Sequence, residues 1–392
     1  MINLDSILEE QLGRLKKDGL FRELKRIDSS IGSAINIDGR EVILFSSNNY
    51  LGLANHPEVK KAQIQAIEEF GAGSCASRLI SGNISLYEKL EENLAIFKGT
   101  ESAIVFPTGY MANIGVITAL VGEGDIVICD KLNHASIIDG ARMSGAVLRV
   151  YPHKNLERLE DFLKNLGGFG KRLVITDTIF SMDGDIAPLP EIAKLVKKYN
   201  AFLMIDDAHG TGVLGDGGKG AYEYFGIKEG IDIQMGTLSK AFGNLGGFIC
   251  GSKELIEFIR NKARPFIYTT ALPPAILGGS IKALSIIDSE EGIGLRKKLW
   301  SNVERFRNGL IGIGYDIMDS KTQIIPILIG DLDKTMKFSE MLFNEGVFAP
   351  GIRPPTVPKN KCRIRISIMA THTEVQIDRA VGAFEKLTNF SG

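Results

Sequence analysis

The chain has 392 residues, 44% apolar and 24% charged. That is enough for a large core and, because one core rarely outgrows roughly 250–300 residues, for two domains. Lys and Arg number 46 against 47 acids, a net charge of −1, so no field of one sign draws nucleic acid or an anionic membrane, and a small-molecule ligand fits better.

Residues 5–27 carry Ile7, Leu12, Leu15, Leu20 and Leu24 at helical spacing, which predicts an amphipathic arm. A hairpin turning at Asp38-Gly39 is expected next. From about residue 100, β-rich runs (Ala103–Phe106, Ile126–Cys129, Val147–Tyr151, Leu173–Thr176, Phe202–Ile205, Phe248–Cys250) alternate with helical patterns at Tyr110–Leu120, Ala135–Met143, Leu156–Leu166 and Leu189–Tyr199. This rhythm predicts an α/β fold with a mainly parallel sheet. Beyond about residue 280, long helices (281–314, 332–345), strands Gln323–Ile329 and Arg363–Met369, and a last helix near 373–387 predict a smaller α+β domain. The expected organisation is an arm at 1–45, a large domain at 46–280 and a C-terminal domain at 281–392. Acids come early, no apolar block opens the chain, and no run nears the roughly 20 apolar residues that span a bilayer, so a cytoplasmic protein is expected. Cys75, Cys129, Cys250 and Cys362 form no CxxC pair, so no metal ribbon or disulfide framework is expected.

Ligands of a parallel sheet collect beyond the carboxyl ends of its strands, which singles out Thr108 to Tyr110, Asn133-His134, Ser181, Asp206 to His209 and Thr237 to Lys240. Lys240, in Gly-Thr-Leu-Ser-Lys-Ala-Phe-Gly (236–243), reads either as a surface lysine or as an imine-forming amine shielded by small, hydroxyl-bearing neighbours. Asp206 ends an apolar strand, placed to keep a pyridine nitrogen protonated or to cap the next helix, a part equally open to Asp207. His209 is placed to donate to a phenolic oxygen of such a ring. The turn at Gly109-Tyr110 opens a helix whose first amides suit a phosphate, though plain βα turns look alike. His134 is a stacking or a capping residue, and Ser181 a cofactor contact or a turn serine. Arg363 and Arg365 share one strand face by alternation. Arg365 suits a substrate carboxylate, or simply an exposed face.

Together the strings SSNNYLGL (46–53), SRLISG (77–82), NHASIIDG (133–140), FSMDGD (180–185), IDDAHGTGVLG (205–215), GTLSKAFG (236–243) and IRPPTVP (352–358) resemble the α-oxoamine synthase family, on the aminotransferase-like fold. The resemblance runs from about residue 10 to 388. It implies pyridoxal phosphate as cofactor, and the joining of an amino acid to an acyl thioester with loss of carbon dioxide. It implies Lys240 as the covalent anchor, Asp206 at the pyridine nitrogen, His134 stacking, and Gly109, Tyr110, Ser181, His209 and Thr237 as cofactor contacts. Asn48 and Arg365 are implied for the amino-acid carboxylate, and Arg22 and Thr356 for the acyl substrate. Homodimers with shared sites are implied too, Thr269 or Thr270 reaching the neighbouring subunit's phosphate. IRPPTVP and YTTALPP (268–274) point to the branch that takes L-alanine and a pimeloyl thioester, carried on coenzyme A or an acyl carrier protein. Two positions depart from that branch: Cys75-Ala76 stands where it often has two glycines, and Asp177 where it often has glutamate. The aspartate points towards glycine with an acetyl thioester, or an enzyme of this family that accepts both substrate pairs. A cofactor-less partner subunit, an aminotransferase or lyase of this fold, and a Cys75-dependent acyltransferase are the rival readings.

Overall fold

The apolar runs between residues 102 and 251 line up as one seven-stranded sheet in a computed structural model, which describes residues 3–165 and 167–388. Across the sheet the strands are Ser102–Phe106, Gly247–Gly251, Ile233–Thr237, Phe202–Asp206, Arg172–Asp177, Ile126–Asp130 and Val147–Tyr151. Gly247–Gly251 runs antiparallel to both neighbours, and the pairings from Ile233–Thr237 onward are all parallel. Both alternations of these strands are apolar and buried. Val127 and Cys129 join one core cluster with Leu173, Ile175, Met204 and Met235, while Ile126, Ile128, Val174 and Leu203 are just as inaccessible. A sheet covered on both faces needs such near-continuous Val/Ile/Leu runs.

Helices follow the strands where capping residues start them. Thr108 caps Gly109–Leu120, His134 caps Ala135–Ser144 and Asn155 caps Leu156–Lys164, each through a side chain that accepts an N–H of the first turn. Leu166, the expected last residue of the third helix, lies outside the described residues. Ile233–Thr237 is a strand the sequence pattern does not announce. Its Gln234 and Gly236 break the apolar run, and pairing with Met204–Asp206 and Gly247–Cys250 makes it extended.

By contacts the described chain groups into two units. One holds Asn48–Ser181 and Asp185–Leu299, with the large sheet; the other holds the residues up to Ser47, Met182–Gly184 and those from Trp300 onward. Residues 281–299 thus group with the large sheet, and the N-terminal residues with the C-terminal ones. In the second unit Ala34–Ile37 and Arg40–Leu44 form the expected hairpin, whose turn has Asp38 and Gly39 at φ of 51° and 80°, the double left-handed geometry of a tight hairpin. Val347-Phe348 adds to this hairpin in parallel, beside Ile43-Leu44. A further sheet pairs Ile324–Gly330 with Cys362–Ser367, and Cys362–Ser367 with Gly351-Ile352. His372 joins both chain ends of this unit. It stacks on Phe45 at 4.3 Å, its Nε2 lies 2.9 Å from the Leu44 carbonyl, and its Nδ1 accepts the Met369 N–H. Burial pushes its pKa down to about 4, so the imidazole is neutral.

Two expected helices are corrected. The N-terminal helix covers Leu4–Lys17, not 5–27: Gly19 takes a left-handed conformation (φ 67°), where an added Cβ would come 2.8 Å from Leu332, and ends the helix. The stretch 281–314 is two helices, Pro274–Ile287 and Glu290–Gly312, parted at Asp288-Ser289, where the Ser289 hydroxyl accepts the Gly292 N–H at 3.5 Å and restarts the chain.

Candidate active site

Four of the five parallel strands end, at one edge of the sheet, in Asp130, Asp177, Asp206 and Thr237. Asp177 and Asp206 are register partners. The Asp206 carboxylate is held from two sides: Asn113 Nδ2 donates to Oδ2 at 2.8 Å, and the Ala208 N–H donates to Oδ1 at 3.0 Å. The same Asn113 amide donates to Ser136 Oγ at 2.9 Å, and Ser136 Oγ lies 2.7 Å from His134 Nδ1. Asp206 and His134 are therefore linked through two intervening side chains. Asn113 Oδ1 is buried without a hydrogen-bond partner, a polar atom left for another group to meet.

His134 both caps its helix and sits in this chain. Its backbone N–H donates to Asp177 Oδ1 at 3.2 Å. Burial lowers its pKa below the ordinary imidazole value; the Asp206 carboxylate opposes that and the Lys240 ammonium adds to it. The ring is neutral at pH 7, which suits stacking on a cationic heteroaromatic ring. Burial, with the neighbouring Asp206 charge, pushes the Asp177 carboxyl well above the usual carboxylate range. Lys240 acts on both His134 and Asp177, so one lysine, one imidazole and two carboxyl groups share a local field.

A second cluster adjoins the N-terminus of the helix Gly109–Leu120. Thr237 Oγ1 donates to the Gly246 carbonyl at 2.8 Å and lies 2.7 Å from Ser239 Oγ. A Cβ on Gly109 would come 3.6 Å from Thr237 Oγ1, so the two are neighbours. Gly247 admits no side chain, because its Cβ would stand 2.6 Å from the Gly109 Cα. The first amides of the helix and two hydroxyls thus meet on one small patch, a set of donors that suits a phosphate dianion. Tyr110 is half-exposed, its hydroxyl donating to Asp139 Oδ2 at 2.6 Å. These residues fit a flat, phosphate-bearing cation: an acid held by amides, a neutral ring beside it, a lysine in the same field, and a helix whose first residue, Gly109, carries no side chain.

His209 is buried, its Nδ1 2.6 Å from the Tyr50 hydroxyl, which lies 3.1 Å from Asn48 Oδ1. Asn48 and His209 are therefore brought together through Tyr50. Asp207 is wholly buried against Lys98, and its Oδ1 also accepts the N–H of Ala221, the first residue of the next helix, at 3.3 Å. Ser181, half-buried, opens a turn that Phe180 ties back by donating its N–H to the Asp185 carbonyl at 3.1 Å. Asp185 is in turn bound by His153, whose Nε2 lies 2.8 Å from Asp185 Oδ2 and whose Nδ1 lies 3.0 Å from Asp130 Oδ1.

Burial of His153 opposes its charge, but hydrogen bonds to Asp130 and Asp185 outweigh that and raise its pKa to about 9. The contribution to stability is therefore complete below the ordinary imidazole value of about 6.5 and lost as pH rises through about 9. His153→Gln should lower the melting temperature most at pH 6, by about 2–4 °C for each kcal/mol removed, and the gap should close by pH 10. Paired melting curves check this; a gap independent of pH would refute the charged form.

Thr269 (half-buried) and Thr270 (exposed) precede Ala271, whose N–H donates to the Ala76 carbonyl at 2.9 Å; no hydrogen bond among the described residues ties them to the lysine cluster. Arg22, Thr356 and Arg365 belong to the other unit. There Arg22 donates to the Pro354 carbonyl at 3.0 Å, the Thr356 N–H donates to the Arg353 carbonyl at 3.2 Å, and Arg365 donates to Ser367 Oγ at 2.8 Å. Neither Arg363 nor Arg365 lies on an exposed face; both are buried, and Arg363 pairs with Asp183. Sequence reasoning missed Asn113, Ser136 and Tyr50. The one available signal was Asn113, a polar residue inside an otherwise apolar helix face.

A family model for aminotransferase class I and II matches residues 40–384. An 8-amino-7-oxononanoate synthase of Citrifermentans bemidjiense is 51% identical over 378 residues, 96% of this chain and 97% of that one. The enzyme of the same name from Thermoanaerobacter pseudethanolicus is 50% identical over 381 residues, 97% and 96% of the two chains. Among solved structures, a lysine-to-alanine variant of serine palmitoyltransferase from S. paucimobilis with a bound PLP–myriocin aldimine matches 100% of both chains, with a TM-score of 0.93 and 32% identity. An 8-amino-7-oxononanoate synthase from Francisella tularensis matches 89% of this chain and 98% of that one, with a TM-score of 0.77 and 29% identity.

Proposed function

Because the chain belongs to the aminotransferase class I and II family, within its α-oxoamine synthases, we propose that it condenses L-alanine with a pimeloyl thioester to 8-amino-7-oxononanoate, in biotin synthesis. The observation that carries this is an identity of about half of all residues, over nearly the whole length, with enzymes of that name. The products are the amino ketone, carbon dioxide and the free thiol carrier.

The cofactor in this reading is pyridoxal phosphate, anchored on Lys240, with Gly109, Tyr110, Thr237 and Ser181 as its further contacts. Bound there, it supplies a sink for the electron pair left on Cα when the amino acid loses a proton. Asp206, held by Asn113 and the Ala208 amide, keeps the pyridine nitrogen protonated. His134, neutral and capping its own helix, covers the ring. His209 donates to the phenolic oxygen. Lys240 takes the Cα proton of alanine and later returns one, acting as tether and as general base and acid. Asn48 and Arg365 hold the alanine carboxylate, while Arg22 and Thr356 touch the acyl chain. The chain works in this reading as a cytoplasmic homodimer, with Thr269 or Thr270 reaching the partner's phosphate. The exposed apolar residues Leu4, Ile7, Leu8, Leu12 and Leu15 of the first helix support a second copy as neighbour. Among the described residues no helix is long and apolar enough to cross a membrane.

Asp177 favours a second reading, glycine with an acetyl thioester. A panel of alanine, glycine and serine against pimeloyl and acetyl thioesters, followed by thiol release, tests both. Alanine with pimeloyl should give the highest kcat/KM; glycine with acetyl in first place would overturn the substrate assignment. Supplying the pimeloyl group on coenzyme A and on an acyl carrier protein separates the two donors.

A further inference from the structure

Lys98 and Asp207 take no part in that chemistry, yet both side chains are wholly removed from solvent. Lys98 ends the helix Ser85–Lys98, and its ammonium donates to Asp207 Oδ2 at 2.9 Å, to Thr211 Oγ1 at 3.2 Å and to the Lys219 carbonyl at 2.7 Å. The Asp207 carboxylate also accepts the Thr178 hydroxyl at 2.6 Å, the Thr211 hydroxyl at 3.0 Å and the Ala221 N–H at 3.3 Å. No room is left around it: a Cβ on Gly220 would stand 1.7 Å from Asp207 Oδ2, and one on Gly210 would stand 2.2 Å from Oδ1. A buried ion pair is commonly no more stabilising than apolar residues of the same volume. Stability alone therefore does not account for keeping two charges here.

The place of the pair in the chain does account for it. Asp207 lies between Asp206 and His209, and its backbone N–H donates to the Met235 carbonyl at 2.8 Å. Thr178, three residues before Ser181, donates its N–H to the Asp206 carbonyl at 2.9 Å and its hydroxyl to Asp207. The ion pair thus ties together the turn bearing Asp206 and His209, the strand end leading to Ser181, and, through the Lys219 carbonyl and the Ala221 N–H, the end of the glycine-rich segment. We infer that Lys98 and Asp207 are positioning residues, a buried charge clamp that sets Asp206 and His209 at a fixed separation for the cofactor ring. This rests on the cofactor reading above.

The test compares Lys98→Met, Asp207→Leu and the double variant. Each single change strands one buried charge and should lower the melting temperature sharply, whereas the double removes both charges and should recover most of that loss. Three readings are then taken below the melting transition: kcat and KM for alanine, the pH titration of the absorbance of lysine-bound cofactor, and the pH titration of the His209 ring by NMR in cofactor-free protein. With a clamp, the double variant keeps its fold but stays about 10- to 100-fold down in kcat, with KM little changed and both titrations displaced. Wild-type kcat and titrations in the double variant would overturn the inference. If the double does not regain stability, Thr178→Val, which deletes one hydrogen bond to Asp207, decides it: a displaced His209 titration supports the clamp and an unmoved one overturns it. The His209 reading uses no cofactor. Wild-type protein that develops no absorbance band with pyridoxal phosphate would thus sink the functional reading separately.

Discussion

Lys240→Ala is expected to abolish the absorbance band that pyridoxal phosphate gives when bound to a lysine amine, and nearly all turnover with it. A well-placed general acid or base contributes about 10²–10⁴-fold, and Lys240 is proposed to act in both senses, so turnover should fall by at least about 10³-fold. Lys240 is half-buried in the loop after the strand Ile233–Thr237, so the fold should survive the change, which circular dichroism can verify. Borohydride reduction of the loaded wild-type protein, followed by peptide mass spectrometry, should place the adduct on Lys240. An adduct on another lysine, or full turnover in the alanine variant, would remove Lys240 from its role.

Asp206→Asn should cost about 10²–10³-fold in kcat, the range of a preorganised electrostatic contact in a water-excluded site. The substitution keeps the shape and removes the charge. Its NH2 must also face one of two donors, Asn113 Nδ2 at 2.8 Å or the Ala208 N–H at 3.0 Å, so one hydrogen bond that holds the side chain is lost and cofactor affinity should fall as well. Steady-state kinetics with a cofactor titration measures both effects. A variant with wild-type kcat and affinity would show that no carboxylate is needed under the ring nitrogen.

What could be read from the residues was local. The Val/Ile/Leu runs became strands and the periodic stretches at 110–120 and 135–143 became helices, because each is set by its own few neighbours. Asp206 and His134 follow expected strands and Lys240 stands out by its small, hydroxyl-bearing neighbours, and the structure brings the three into one field. The strand Ile233–Thr237 escaped because its extension comes from its two neighbours and not from its composition. Asn113, Tyr50 and Ser136 escaped for a related reason: their importance lies in partners such as Asp206 and His209, distant in the chain. Asp207 shows the limit most clearly. Beside Asp206 it reads as a cap, yet its partner Lys98 is 109 residues away. The N-terminal helix is shorter than its periodicity implies because Gly19, one residue inside a periodic stretch, stops it.

The interlocking of the two chain ends around His372 has a consequence for how the polypeptide comes off the ribosome. Arg40–Leu44 has its hairpin partner early, but Val347-Phe348, the Ser367 amide bound to the Phe45 carbonyl, and the His372 ring on Phe45 are all made some three hundred residues later. Residues 40–45 therefore wait, half-matched, until residues 347–372 have emerged, while the seven-stranded sheet, drawn from residues 102–251, has every strand in hand much sooner.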